Sequence, residues 1–254
     1  SISSFIAAGT SYSAHRMNMI PFFVFYSMFG FQRMFDLIWA AGDARAKGFL
    51  IGATSGRTSL PGEGLQHADG NSHMLAFTVP NLKAYDPAYA YELAVIIRDG
   101  MHRMYEVQEP VFYYITVMND TYAMLPLPDQ SVKEGIIRGM YRFRKSVKKG
   151  EKVNLFGSGA ILRESVKAAE MLENDYDIAA DVWSVTSYKE LYMDAHECDR
   201  INRLHPEKEN KISWVHESLS GEKDTLFVAA SDYIKAVPAS IARWDHSVSV
   251  SSSG

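Results

Sequence analysis

Side chains that could do chemistry are most concentrated in residues 62–73, GEGLQHADGNSH. Glycines in this stretch let backbone N–H groups approach a ligand closely. Glu63 and His67 are four residues apart and would share a face if the segment turns helical, so that the carboxylate could orient the imidazole for acid–base chemistry. A surface loop whose polar side chains face water is the alternative for such a composition.

A metal site in the same stretch is a further alternative. Glu63, His67, Asp69 and His73 are possible ligands, but their spacing does not follow an established zinc pattern such as His-Glu-x-x-His. We therefore predict no metal ligands in this chain.

A second candidate region is residues 26–33, YSMFGFQR, where a predicted strand turns into a helix. The rings of Tyr26 and Phe29 could stack on a flat ligand, and Arg33 could pair with an anion. Packing of Phe29 and Phe31 in the core is the alternative reading of the same spacing.

The elements that must position these residues alternate between apolar runs and segments with helical spacing. The apolar runs predict strands at 19–27, 48–54, 78–86, 111–118, 152–159, 178–187 and 225–231. Repeated strand–helix units predict parallel sheets with helices packed on them, in which ligands bind beyond the carboxyl ends of the strands. The polar stretch follows the strand predicted at 48–54, and this position favours a functional site.

Helices are predicted between these strands. Phe31, Met34, Phe35 and Ile38 have the spacing of one helix face, as do Leu162, Val166, Ala169 and Leu172. Asp86 followed by Pro87 predicts a helix that begins with Asp86 as its N-cap.

The alternation of apolar runs and helical segments stops at residues 119–133. This stretch holds two prolines and several turn formers, which predicts a domain linker. We therefore expect two α/β domains, residues 1–128 and 129–254. The serine-rich tail, 245–254, has no pattern that could bury a face.

Composition excludes few functions. The formal net charge of −4 and the absence of a strong basic cluster argue against a nucleic-acid partner. No apolar run reaches the ~20 residues that a membrane-spanning helix needs. The single cysteine, Cys198, rules out an internal disulfide and fits a reducing compartment.

Several long motifs resemble one enzyme family. MIPFFVFYSMFGFQR, GFLIGATSGRTSLPGEGLQHADGNSH, YDPAYAYELAVIIRDGMHRMY and FGSGAILRESVKAAEML are similar, in register, to the homodimeric bacterial-type pyruvate dehydrogenases, the first component of the pyruvate dehydrogenase complex. The resemblance covers residues 1 to about 244. It implies a transketolase-like α/β fold, with the aminopyrimidine-binding middle domain at 1–128 and the carboxyl-terminal domain from 129 onward.

The resemblance also implies an activity, cofactors and partners. The family decarboxylates pyruvate with thiamine diphosphate and Mg²⁺ and reductively acetylates the lipoyl group of the dihydrolipoyl acetyltransferase component, as a homodimer in the bacterial cytoplasm. By resemblance, Tyr26 and Phe29 contact the aminopyrimidine and Arg33 supports that pocket. Glu63 and His67 resemble the catalytic glutamate and histidine near the reacting carbons.

The sequence departs from the family pattern at its ends. The family's glutamate that bonds the aminopyrimidine and the domain with the diphosphate and Mg²⁺ ligands have no match here, so we expect this chain alone to be inert and to bind the cofactor weakly. A non-catalytic assembly or dimerisation module is one alternative function. Another transketolase-like thiamine enzyme is a second.

Overall fold

Two α/β sheets organise the computed structural model, which describes residues 1–53, 55–60, 64–222, 225–244 and 248–250. The first sheet is parallel in the order β1-β2-β4-β3, and consists of β1 (Phe22–Tyr26), β2 (Phe49–Ala53), β3 (Leu82–Tyr85) and β4 (Phe112–Thr116). The second sheet has the order β5-β7-β6-β8-β9, and consists of β5 (Met140–Arg144), β6 (Lys152–Gly157), β7 (Ala179–Val185), β8 (Leu226–Ala230) and β9 (Val248–Val250). Only β5, which pairs with β7, is antiparallel among the described pairings. The predicted α/β class with parallel and mixed sheets is confirmed.

Helices cover both sheets. Those of the first half are α1 (Ile2–Gly9), α2 (Ser11–Ala14), α3 (Ser27–Arg33), α4 (Phe35–Asp43), α5 (Ser72–Ala76) and α6 (Ala90–Met101), with a π-helical turn at His102–Glu106. Those of the second half are α7 (Val132–Arg138), α8 (Ile161–Asp175), α9 (Tyr188–Leu204), α10 (Trp214–Leu219) and α11 (Ala236–Ala239). Among the described residues, no helix is both long and apolar enough to cross a bilayer.

Each predicted strand contains an observed one, and the central strands are buried as expected for a parallel sheet covered on both faces. Every residue of β4 and of β7 is buried. The predicted helix face at 162–172 is confirmed in α8, where Leu162 and Ala169 are fully buried. The face from Phe31 to Ile38 is divided between α3 and α4, because the backbone of Met34 leaves the helical region between them.

The prediction that Asp86 caps a helix is wrong. Helix α6 begins at Ala90 with Tyr89 as N-cap, and the Glu92 carboxylate accepts hydrogen bonds from the backbone N–H groups of Ala88 and Tyr89 at 2.6 and 3.2 Å. The Glu92 side chain thus satisfies two backbone donors that directly precede the helix. Asp86 instead accepts a hydrogen bond from Thr116 at the edge of the first sheet.

The two halves of the chain are packed together rather than merely linked. Residues 117–131, which include most of the predicted linker, contain no helix or strand. One hydrophobic cluster joins Tyr113 and Ile96 of the first half to Ile136 and Tyr141 of the second. Buried Lys189 also crosses the boundary, and its ammonium donates to three main-chain carbonyls of the first half, those of Ala76, Val79 and Leu82, at 2.8, 2.6 and 2.5 Å.

Candidate active site

Neighbouring parallel strands bring the two candidate regions of the sequence to one edge of the first sheet. Strand β1 lies beside β2, and Tyr26 at the end of β1 pairs in register with Ala53 at the end of β2. The polar stretch follows β2 in the chain, and its described residue His67 lies beside the Tyr26 ring. The location agrees with the general position of ligands in open α/β sheets, beyond the carboxyl ends of strands.

Helix α3 sets Phe29 beside Tyr26. The helix lies so close to β1 that a Cβ atom on Gly30 would come within 2.6 Å of the Phe25 ring. Glycine at this position therefore permits the close approach of helix and strand. Ser27 and Phe31 face the interior, and Phe29 on the outer side remains partly exposed.

The rings of Tyr26, Phe29 and His67 meet in a compact cluster. The Tyr26 and Phe29 centroids are 5.3 Å apart with a tilt of 34°. The His67 imidazole stands edge-on to both rings, at 5.2 Å from Tyr26 and 5.3 Å from Phe29. The Arg33 guanidinium lies 4.8 Å from the Phe29 centroid, in the geometry of a cation–π contact. The structure thus brings together four of the five predicted site residues.

Half of the Tyr26 surface is exposed, so the cluster forms an open aromatic face on this chain. Aromatic faces of this kind can cover a planar heterocycle, and the edge-on imidazole supplies a group that can donate or accept a proton. Glu63, the fifth predicted residue, lies outside the described residues together with Gly62. The Glu63–His67 pair therefore stays a prediction.

Local backbone bonds hold His67 in place. It ends a short 3₁₀ turn, Leu65–His67, in which its N–H donates to the Gly64 carbonyl at 2.9 Å. Just beyond, the buried carboxylate of Asp69 accepts from the N–H groups of Asn71 and Ser72 and from the Ser72 hydroxyl. Both carboxylate oxygens of Asp69 therefore accept hydrogen bonds within its own turn, and they are not arranged to bind a metal together with His67.

A second polar cluster lies behind this turn, between the two sheets. The imidazole Nε2 of His73 is 2.9 Å from the Thr116 hydroxyl, which donates to Asp86 at 2.6 Å. Although part of Asp86 stays accessible, the removal of its carboxyl group from water raises its pKa to about 7, against the opposing hydrogen bond from Thr116. Burial lowers the pKa of His73 to about 4, and the nearby Asp69 charge opposes this shift.

Two buried tyrosine hydroxyls face the same region. Tyr188 and Tyr233 line a small cavity with His73, Asp86 and Ser158, and neither hydroxyl has a well-aligned hydrogen-bond partner among the described residues. A buried polar group without a partner points to bound water, and the cavity has room for about one water molecule. The sequence did not predict this cluster. Its clearest signal in the sequence is a threonine that ends an otherwise apolar strand.

No group of three or more His, Cys, Asp or Glu side chains within the described parts of the chain is arranged to hold a metal ion. His73, one of the four residues considered as ligands, is directed to Thr116 instead.

Comparison with protein-family models divides the chain in two. Residues 1–125 match the pyruvate dehydrogenase E1 component middle domain, and residues 139–254 match the transketolase-like C-terminal domain. The models together cover nearly the whole chain and leave only the stretch before β5 unmatched.

Curated relatives agree with these models. The chain is 55% identical to the pyruvate dehydrogenase E1 component of Pseudomonas aeruginosa over 244 residues, which is 96% of this chain and 27% of that protein. It is 52% identical to the Escherichia coli K12 protein and 46% identical to the Mycobacterium tuberculosis protein, each over 26% of the relative's length. The chain thus spans about a quarter of the length of these relatives.

Solved structures agree on the fold. Transketolase from Campylobacter jejuni has a TM-score of 0.64 at 14% identity, over 96% of this chain and 33% of that one. Transketolase from Leishmania mexicana has a TM-score of 0.60 at 13% identity, over 93% and 30% of the two chains. The transketolase-like fold is thereby confirmed.

Proposed function

This chain belongs to the pyruvate dehydrogenase E1 component family, as its middle and transketolase-like C-terminal domains, and from that membership we propose that it takes part in the thiamine diphosphate-dependent decarboxylation of pyruvate. The relatives have about four times its length, so activity, substrate and partners are all part of the proposal. The observation that carries it is the convergence of Tyr26, Phe29 and His67 within 5.3 Å of one another.

The described residues fit one end of thiamine diphosphate. The half-exposed ring of Tyr26 and the partly exposed ring of Phe29 suit a flat aminopyrimidine, and Arg33 over the Phe29 ring would hold that ring in position. The diphosphate and Mg²⁺ need carboxylate and carbonyl oxygens around a cation, and the described residues contain no carboxylate-rich cluster of this kind. We therefore propose that this chain contributes the aminopyrimidine side of the site.

When bound, thiamine diphosphate supplies the carbon nucleophile that allows the carboxylate of pyruvate to leave as carbon dioxide. We propose that His67 holds or delivers a proton beside the reacting atoms, and the position of its imidazole against both aromatic rings supports this role. We propose that Glu63 orients this imidazole, as the four-residue spacing suggests. Tyr26 and Phe29 would exclude water from the cofactor ring.

The second half-reaction is proposed from family membership. We propose that the acetyl unit passes to the lipoyl group of a dihydrolipoyl acetyltransferase component, in a bacterial cytoplasmic complex. A transketolase activity is the less favoured alternative, since transketolases share only 12–14% identity with the chain.

The test compares His67→Gln with a matched histidine variant in the protein that carries this chain. We expect His67→Gln to lower pyruvate-dependent reduction of an artificial electron acceptor, and lipoyl acetylation, by about 100-fold or more, the usual loss when an acid–base group is removed. Exposed His102, which pairs with Glu106, provides the control His102→Gln. Wild-type rates in His67→Gln would refute the role of the imidazole.

The expectation that this chain alone is inert and binds the cofactor weakly stays a prediction. Calorimetric titration of the purified chain with thiamine diphosphate and Mg²⁺ tests it. Sub-micromolar affinity would contradict it, and would show that residues of this chain also hold the diphosphate.

A further inference from the structure

A groove of about 560 Å³ runs between α6 and α7, and none of its lining residues belongs to the aromatic–imidazole face. Helix α6 lines it at helical spacing from Tyr91 to Asp99, the π-helical turn contributes His102, and α7 contributes Lys133 and Ile137. Leu127, from the segment before α7, completes the wall. The groove thus lies on the boundary between the two halves of the chain.

The floor of this groove is apolar. Tyr91, Val95 and Leu127 are partly buried and pack against the hydrophobic cluster that the two halves share, and Ile137 lies beside them. A volume of several hundred Å³ with apolar walls and a few polar groups is typical of small-molecule sites.

The charges at the rim are mainly positive and are not neutralised by neighbours. Among the described residues, the side chains of Arg98 and Lys133 form no ion pair and no hydrogen bond, although both line the groove. Asp99, the one acidic residue in the lining, accepts a hydrogen bond from Tyr113 at 3.1 Å and lies 3.8 Å from Arg103, a guanidinium that also forms a two-bond pair with Glu109. An anion over the groove would meet two cations that lack a counter-charge.

We propose that this groove binds a small amphipathic anion, with an aryl or short acyl body and a carboxylate, sulfonate or phosphate head. The body would lie on Tyr91, Val95 and Leu127, and the head would accept hydrogen bonds from Arg98 and Lys133. Because α6 and α7 belong to different halves of the chain, an occupied groove would tie the halves together. This inference does not depend on the proposed function.

The probe is para-trifluoromethylbenzoate, whose binding to the purified protein is followed by fluorine NMR. We expect saturable binding, little binding of the neutral analogue para-trifluoromethylbenzyl alcohol, and a dissociation constant raised about tenfold or more in the double variant Arg98→Gln/Lys133→Gln, because two charge-assisted hydrogen bonds are lost. The double variant Lys145→Gln/Lys149→Gln removes the same charge from two exposed lysines away from the groove. It should bind the probe like the wild type.

A steric variant separates the groove from general surface charge. Ala94 lines the groove on α6, and Ala94→Phe would fill part of it without altering charge. We expect this variant to weaken probe binding while it keeps the wild-type melting temperature without probe. No saturable binding at millimolar probe, equal binding of the neutral alcohol, or unchanged affinity in both groove variants would each overturn the proposal.

Discussion

The carboxyl group of Asp86 takes up a proton inside the polar cluster that joins the two sheets. Its pKa of about 7 lies above the ordinary value of 3.8, so the folded state binds more protons than the unfolded state between these values. By linkage, the contribution of Asp86 to stability falls as the pH rises from about 4 to about 7. His73, with its pKa lowered to about 4, has the opposite effect up to its ordinary value of 6.5.

Asp86→Asn isolates the first effect, because asparagine keeps the shape and cannot ionise. We expect the unfolding free energy of Asp86→Asn minus that of the wild type to increase between about pH 5 and about pH 8 in urea denaturation. Asp120→Asn is the control, since the hydrogen bond from Arg163 lowers the pKa of exposed Asp120 and its titration falls below this range. A flat or falling difference for Asp86→Asn would mean that its carboxyl is ionised throughout.

The sequence predicted a site residue when that residue belonged to a local motif, and it did not when the residues were brought together only by the fold. Tyr26, Phe29, Arg33 and His67 were named from contiguous motifs, and their convergence follows from the adjacency of β1 and β2. The cluster of His73, Asp86 and Thr116 was not foreseen. Its members come from three separate segments, and only tertiary packing brings them within hydrogen-bonding distance.

The start of α6 is coupled to the second half of the chain through Glu92. One carboxylate oxygen accepts from the N–H groups before the helix, and the other accepts from the hydroxyls of Tyr141 and Ser184, at 2.8 and 2.6 Å. The side chain is fully buried. We expect Glu92→Ala to lower the unfolding free energy by about 3 kcal/mol or more, because several buried donors lose their acceptor.

The same substitution at an exposed helix start is the control for Glu92→Ala. Glu134 lies in the first turn of α7, where it pairs with Arg138, and its side chain is 68% exposed. Glu134→Ala should cost less than about 1 kcal/mol in the same denaturation series. Similar losses in the two variants would show that Glu92 acts only as an ordinary helix cap.

Apolar runs and helical periodicity predicted most elements of this chain, including β1, none of whose residues is buried. The seven predicted strands and the face of α8 follow from apolar spacing alone. Strand β5 was not predicted, because its last three residues are only partly buried and include Arg142 and Arg144. The charges of these two arginines pair with carboxylates that are buried or nearly buried, those of Asp181, Glu222 and Glu173. The N-cap of α6 was predicted at the wrong residue, because local sequence rules cannot show that Asp86 accepts a hydrogen bond from Thr116.

The two-sheet architecture could be derived at the scale of the whole molecule, but the packing between its halves could not. The turn-rich segment 119–133 predicted a linker between two domains, but it carried no information on how those domains pack. In the structure the two halves are joined by a shared apolar cluster and by bonds such as Lys83–Glu190 at 2.7 Å. Such contacts depend on the relative placement of two sheets, on which hydrophobic periodicity carries no information.

An apolar strip along the edge of the first sheet fits the homodimer that the family resemblance implies. No charged residue occurs between Arg16 and Arg33. The side chains that form the strip are 44–61% exposed, and they are Met17, Met19, Ile20, Phe22, Val24 and Tyr26. Edge strands of monomeric proteins are usually protected by charges, and contiguous exposed apolar patches mark interfaces. We therefore predict that a second copy of the chain contacts β1. The second copy would also cover the open face at Tyr26.

A charge on this strip should prevent association. Val24 is 61% exposed on β1, and we expect Val24→Lys to shift the protein from dimer toward monomer in size-exclusion chromatography with light scattering, because an interface must then bury a lysine. Val147→Lys makes the same change at a valine that is 95% exposed outside the strip, and it should leave the mass unchanged. A Val24→Lys protein that remains fully dimeric would place the interface elsewhere. The aromatic face would then need another cover, because half of Tyr26 is open to water and the proposed cofactor site must exclude water.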